Sequence, residues 1–348
     1  MKSRIANLTA AFLLVASISL APAVRAQDAA KSTDTAAAKS TTQVYMVVTD
    51  EAVKGDAAPA AITAQDIQVR QGKDRVKVEK LIPAQGADAG LQLFILIDDT
   101  SDSSLGSLLS DVRAFISAQP ATTTIGVGYM SNATVNIVQN FTPDKDAASK
   151  AVRLPLATLS AMDSPYLSLQ DLIKRWPPSK LRREVIMISS GIDRLRQGGF
   201  GGGFGGRGFG GGGAALNAYS NQSGDVDSAS NTAQKIGVIV HTIYAQGVGF
   251  EGRNFWQATN GQSGLSQVSD LTGGESFSLG TQTAVSFQPY LNRIQTLLNS
   301  QYFLVFQANV PKKSSLQPVK FSTEIPNVEV VGAKNVWVPA PGSTDKKQ

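Results

Sequence analysis

The chain has 348 residues, 42% of them hydrophobic and 17% charged, with a net charge of +5 and no cysteine. That composition suits a globular protein with a sizeable core, as about two domains or one large domain with additions. Three of the cations, Lys2, Arg4 and Arg25, fall in the first 26 residues, which hold no acid, so the remainder carries only +2. A basic surface is therefore no argument for nucleic acid, and the lack of cysteine removes disulfides, thiolate metal sites, a cysteine nucleophile and a lipid anchor on an N-terminal cysteine.

The chain opens with a basic Met1-Lys2-Ser3-Arg4, an apolar run from Leu8 to Leu20, and Val24-Arg25-Ala26 before Gln27. Those are the three regions of a signal peptide, 1–26, so the mature protein is expected to be exported, to the periplasm or outside. No later apolar stretch has the ~20 residues needed to cross a bilayer, so no transmembrane anchor is expected. Residues 27–40 are small, polar and without period, as in a flexible linker.

An N-terminal β segment, 41–88, follows. Val44 to Thr49 is an apolar run of strand length, and Ile67–Arg70 and Val76–Ile82 alternate around a turn at Gln71–Asp74. From 89 to 310 the pattern becomes α/β. Leu91–Ile97, Glu184–Ile188 and Gly237–Tyr244 read as strands buried on both faces. Thr124–Met130 and Thr134–Val138 are further strands. Helical spacing marks Ser103–Ala118, Asp144–Val152, Leu167–Trp176, Ser220–Ile236, Leu265–Thr272 and Ala284–Ser300. Strands alternating with helices imply a doubly wound, mostly parallel sheet flanked by helices. Residues 198–213 interrupt it with twelve glycines, Phe200, Phe204, Phe209 and Arg207. Such a run is expected to be disordered, either a tolerated insertion or a Phe-Gly segment that associates weakly with a partner.

The C-terminal β segment, 311–340, contains Val319–Ile325 and Val328–Val338, after a strand at Tyr302–Phe306. Two marginal β segments gain stability by pairing, so the N- and C-terminal segments are expected to form a small β-sandwich. The last residues, 341–348, read as a disordered tail.

A doubly wound sheet binds ligands beyond the carboxyl ends of its strands. There the first α/β strand runs into Asp98-Asp99-Thr100-Ser101-Asp102-Ser103. Asp99, Ser101 and Ser103 fit D-x-S-x-S. One carboxylate and two hydroxyls on a tight turn make a hard oxygen site suited to Mg²⁺ or Mn²⁺. The same serines would also serve as N-caps of the helix behind them. Strand alternation turns the adjacent Asp98 the other way.

With that turn in this order of elements, the chain resembles a von Willebrand factor A domain over about residues 90–308. Val47–Asp50, Ile62–Val69, Leu271–Phe277 and Leu297–Leu304 are similar to segments of the von Willebrand A-related proteins common in Acidobacteria. The resemblance implies a metal-ion-dependent adhesion site with Asp99, Ser101 and Ser103 as ligands, and Ser164 in place of a second-loop threonine. It also implies an aspartate after the fourth strand. Ser190 occupies that position, and the lost carboxylate weakens the site. Asp102, at the usual small-residue position between the serines, and Asp163 and Asp193, on neighbouring loops, are the residues expected to compensate.

Enzyme readings find little support. His241, the chain's only histidine, is mid-strand in Val240-His241-Thr242 and reads as a packed residue. There is no G-x-S-x-G elbow, and the glycine run lacks the G-K-[ST] of a phosphate loop. The expectation is an exported protein that binds a protein ligand, by adhesion through a degenerate metal site. The alternatives are an envelope structural component without metal and, third, a metal-dependent hydrolase.

Overall fold

Alternating strands from the two ends of the chain, and unbroken apolar strands between them, sort into separate sheets. The computed structural model describes residues 40–52, 62–160, 162–197, 213–249, 255–278, 280 and 284–343. The expected leader at 1–26, nearly all of the linker, residues 198–212 and the tail beyond 343 lie outside them. Before the α/β part come β1 (Thr41–Ala52), β2 (Ile67–Gln71), β3 (Asp74–Val76) and β4 (Val78–Pro83). The α/β part holds β5 (Leu91–Asp98), β6 (Thr123–Ser131), β7 (Thr134–Thr142), β8 (Arg182–Ser189), β9 (Val238–Tyr244) and β10 (Ser276–Phe277). After it come β11 (Gln301–Asn309), β12 (Ser315–Thr323), β13 (Val328–Gly332) and β14 (Asn335–Val338). The helices are α1 (Leu109–Ser117), α2 (Lys145–Lys150), α3 (Pro165–Lys174), α4 (Arg194–Gln197), α5 (Gly213–Ile236), α6 (Phe255–Thr272) and α7 (Gln288–Asn299).

The six-stranded sheet has the order β10-β9-β8-β5-β6-β7. All neighbours are parallel except the β6–β7 hairpin. Every residue of β5, β8 and β9 is buried, because helices cover both faces. Leu93, Ile95 and Ile97 face α1 and α7, while Phe94 and Leu96 face α3, α5 and α6. Each such fully buried side chain contributes roughly 1.5–3 kcal/mol. The chain passes from β5 to β6, then returns to place β8 on the other side of β5, so the switch in strand order lies at the carboxyl ends of β5 and β8.

The end segments form the expected two-sheet module. One sheet is β13-β1-β11-β4 and the other β14-β12-β2-β3. Val44, Met46, Val48, Leu304 and Phe306 from the first meet Val69, Val319, Val336 and Val338 from the second. The structure differs from the sequence reading at two strands. Val76–Ile82 is not continuous: β3 pairs with β2, and β4 pairs with β11 in the other sheet. Val328–Val338 likewise divides, β13 joining β1 and β14 joining β12. Both segments turn the corner of the sandwich, which periodicity does not register. Among the described residues no helix is long and apolar enough to cross a membrane.

The module joins the α/β part through charge. Arg293 on α7 bridges Glu51 of β1 at 2.7 Å and Glu275 at 2.9 Å. Beside it Asp50 is only 3% exposed. Burial, then the neighbouring Glu51, pushes its carboxyl up to about 6. A folded-state value above the unfolded one means that the folded protein holds the proton more tightly. The stability from this proton is complete below about pH 4 and is lost as pH rises through about 6. Asp50→Asn is therefore expected to stabilise the protein by about 1–2 kcal/mol at pH 8, after solvent screening, and by little at pH 4. Urea melts at both pH values check this; equal gains at the two would contradict it.

Candidate functional site

The turn at the carboxyl end of β5 is held against the loop after β9. Asp102 N–H donates to the Gln246 carbonyl at 2.8 Å, Val248 N–H to the Thr100 carbonyl at 2.9 Å, and Ser101 forms a bridge with Gly247. Residues Ser103–Leu108 then form a 3-10 turn before α1. The capping role falls to Asp102, whose carboxylate accepts from Ser104 N–H at 2.9 Å. Ser101 is fully buried and Ser103 exposed.

Asp98 and Asp99 diverge, as strand alternation requires. Asp98 faces β8. Its Oδ1 accepts from Thr100 N–H at 2.9 Å and Thr100 Oγ1 at 2.7 Å, and its Oδ2 from Ser189 Oγ at 2.6 Å. Burial raises its carboxyl above the ordinary range, against the pull of these hydroxyls and of Arg194. Arg194 Nη1 lies 3.3 Å from Thr100 Oγ1. Asp99 faces the 153–156 segment. Arg153 Nη1 donates to its Oδ1 at 2.7 Å and Nη2 to its Oδ2 at 2.8 Å, with Leu156 N–H on Oδ1 at 3.1 Å.

The second loop ends at Ser164, the N-cap of α3, where Pro165 suits the first helical position. The Ser164 hydroxyl donates to Asp193 Oδ2 at 2.8 Å and accepts Leu167 N–H at 3.3 Å. Asp163 ties three segments together. Its carboxylate accepts Asn132 N–H and Ser160 N–H, and its carbonyl accepts Arg194 and Leu195 N–H. Ser190 is buried, and its Oγ accepts Ile192 N–H at 3.4 Å.

The expected ligands thus fall into two groups. Ser164, Asp163 and Asp193 gather on the Asp98 side of β5, whereas Asp99 turns to Arg153. A divalent ion needs several oxygen lone pairs aimed at one point. Here both oxygens of Asp99 meet guanidinium hydrogens, both of Asp98 meet hydroxyl hydrogens, and Asp163 accepts backbone N–H groups on both. The cavity between Asp98, Thr100, Ser131, Asp163, Ser164 and Arg194 is about 10 Å³, room for one water at most. As placed, these residues do not fit Mg²⁺ or Mn²⁺. Periodicity and motif spacing missed Thr100, Arg153 and Arg194; only the doubled acid at Asp98-Asp99 hinted that two carboxylates would need partners.

No protein-family model and no curated protein matches the chain. Among solved structures it is similar to an aerotolerance-related membrane protein from Bacteroides fragilis carrying mutations to serines, at 11% identity and TM-score 0.36, over 60% of this chain and 99% of that one. A conserved hypothetical protein, BatB, from Bacteroides thetaiotaomicron gives 11% and 0.36 over 60% and 97%. A von Willebrand factor type A protein from Catenulispora acidiphila gives 8% and 0.39 over 88% and 75%. The strand order and the helices on both faces give this chain a doubly wound, mostly parallel α/β sheet.

Proposed function

We propose that the chain is an exported binding protein that holds a protein ligand at the carboxyl end of its α/β sheet. The observation that carries this reading is a set of exposed apolar side chains there. Leu154, Leu156, Leu159 and Met162 are exposed on the segment that packs against Asp99, Leu156 to 66%. Phe255 and Trp256 open α6, which leaves the same end of the sheet, and Trp256 is 69% exposed. Large apolar groups gathered around a pole of the fold mark an interaction surface, and aromatic residues dominate the energetics of such surfaces. A ligand with a complementary apolar face and a polar rim fits them. The β-module would set the orientation of this pole.

The reading is tested by placing a photo-cross-linking residue at 156, at 256 and at the exposed Lys320 of β12 in the native host. Discrete protein adducts are expected from 156 and 256. With the captured partner purified, Leu156→Glu with Trp256→Glu is expected to weaken its binding at least tenfold, or about 1.4 kcal/mol or more. Adducts from position 320 alone would instead favour a structural component that docks through the β-module.

A further inference from the structure

The pole of the sheet carries positive charge of its own. Asp99 is the carboxylate that D-x-S-x-S spacing offers to a metal, yet its side chain is only 6% exposed and is forked by Arg153. Two parallel N–H···O bonds between guanidinium and carboxylate add geometric specificity to charge. The arginine is itself fixed. Its guanidinium lies over the Tyr129 ring, 3.7 Å from the centroid. The Tyr129 hydroxyl donates to the Arg153 carbonyl at 2.9 Å and accepts Arg153 N–H at 2.6 Å. Arg113 holds the preceding Val152 carbonyl at 2.8 Å. A side chain clamped in this way has little rotamer freedom left to lose. On the opposite side of β5, Arg194 supplies positive charge at Asp98.

We infer that Arg153 stands in for the divalent cation at this turn: a cation tethered to the chain neutralises Asp99, so the loops at the sheet's pole keep their form without metal. A dication brought to Asp99 would meet the guanidinium at ion-pair distance, where like charges repel strongly. It would also have to displace three hydrogen bonds. Arg153 is thereby a positioning residue for the apolar segment that follows it. Leu154 packs where a side chain at Gly106 would otherwise sit, its Cδ2 2.5 Å from that glycine's would-be Cβ, and Leu159 lies likewise beside Gly249.

The test uses the full chain, thermal melting, and water-proton relaxation with Mn²⁺. Wild type is expected to melt at the same temperature in EDTA and in ~10 mM Mg²⁺, and to show no saturable Mn²⁺ binding. Arg153→Met leaves a carboxylate buried without its partner and is expected to lower Tm by roughly 5–10 °C. Adding Asp99→Asn to Arg153→Met is expected to recover at least half of that loss. If Arg153→Met does not fold, Arg153→Lys, which keeps the charge but not the fork, is expected to fold with an intermediate loss and to remain insensitive to Mg²⁺. Saturable Mn²⁺ binding by wild type that Asp99→Asn abolishes would overturn the assignment, as would an Arg153→Met variant that melts like wild type. Neither readout involves a ligand, so failure of protein binding at this pole leaves the arginine assignment standing, and the reverse.

Discussion

Gly261→Ala is expected to destabilise the protein by about 3 kcal/mol or more, although alanine is the better helix former by nearly 1 kcal/mol. The reason is a backbone crossing. Helix α6 passes directly over the turn after β8, and a Cβ on Gly261 would lie 2.1 Å from the Ser190 carbonyl oxygen. The turn cannot yield. Gly191 holds φ +69°, its own would-be Cβ is 2.3 Å from the Gly261 carbonyl oxygen, and Tyr166 donates to the Gly191 carbonyl at 2.9 Å. Ser189, at the head of the same turn, supplies the hydroxyl on Asp98. Pushing α6 away would therefore loosen the pole of the sheet as well as the helix. Gly224 on α5 provides the opposite case, because nothing lies within 4 Å of its would-be Cβ. Gly224→Ala is expected to stabilise by about 0.5–1 kcal/mol. Urea denaturation of both variants checks the pair, and a neutral or stabilising Gly261→Ala would mean that the crossing has room for a methyl group.

That crossing also explains what the sequence conceals. The buried strands β5, β8 and β9 are legible as apolar runs because helices cover both of their faces, and the sandwich is legible as two alternating segments with one apolar face each. Helix α6 reads from sequence as beginning near Leu265. Its first half, Ala258-Thr259-Asn260-Gly261-Gln262-Ser263-Gly264, is poor in helix formers, and it is helical because it packs against the turn after β8. Tertiary contact there outweighs local propensity. The pole of the sheet divides in the same way. Strand alternation separates Asp98 from Asp99, as expected, and the turn binds across to the loop after β9. Motif spacing alone, however, says nothing about what lies opposite each carboxylate. Arg153 is 54 residues from Asp99, on a segment without secondary structure. Arg194 follows β8 in a stretch where the family pattern directs attention to Ser190 instead. Counter-ions chosen by three-dimensional proximity leave no periodic trace.

Glu184→Ala is expected to cost about 3–5 kcal/mol, the effect of removing one partner from a buried charged network. Glu184 is fully buried on β8, on the face toward α7. Its Oε1 accepts from Gln301 Nε2 at 2.6 Å, and its Oε2 lies 3.1 Å from His241 Nε2. Gln301 in turn accepts from Arg182 Nη1 at 2.6 Å, and Arg182 also donates to the Leu298 and Ala89 carbonyls. Since Gln301 opens β11, the network fastens the β-module to the middle of the parallel sheet. It also fixes the histidine. His241 Nδ1 accepts Glu275 N–H at 3.1 Å, so the ring hydrogen sits on Nε2 and is donated to Glu184. A histidine with both nitrogens committed inside the sheet has a structural role. Alanine at 184 would strand the His241 and Gln301 donors and leave a cavity. Glutamine keeps the volume but can accept only through its one carbonyl oxygen, and is expected to cost about 1–2 kcal/mol. Because His241 is the only histidine, its ring nitrogens can be followed in the intact chain by nitrogen NMR. The wild type is expected to show the Nε2–H tautomer; an Nδ1–H pattern, or a Glu184→Ala variant as stable as wild type, would rule out this chain of bonds.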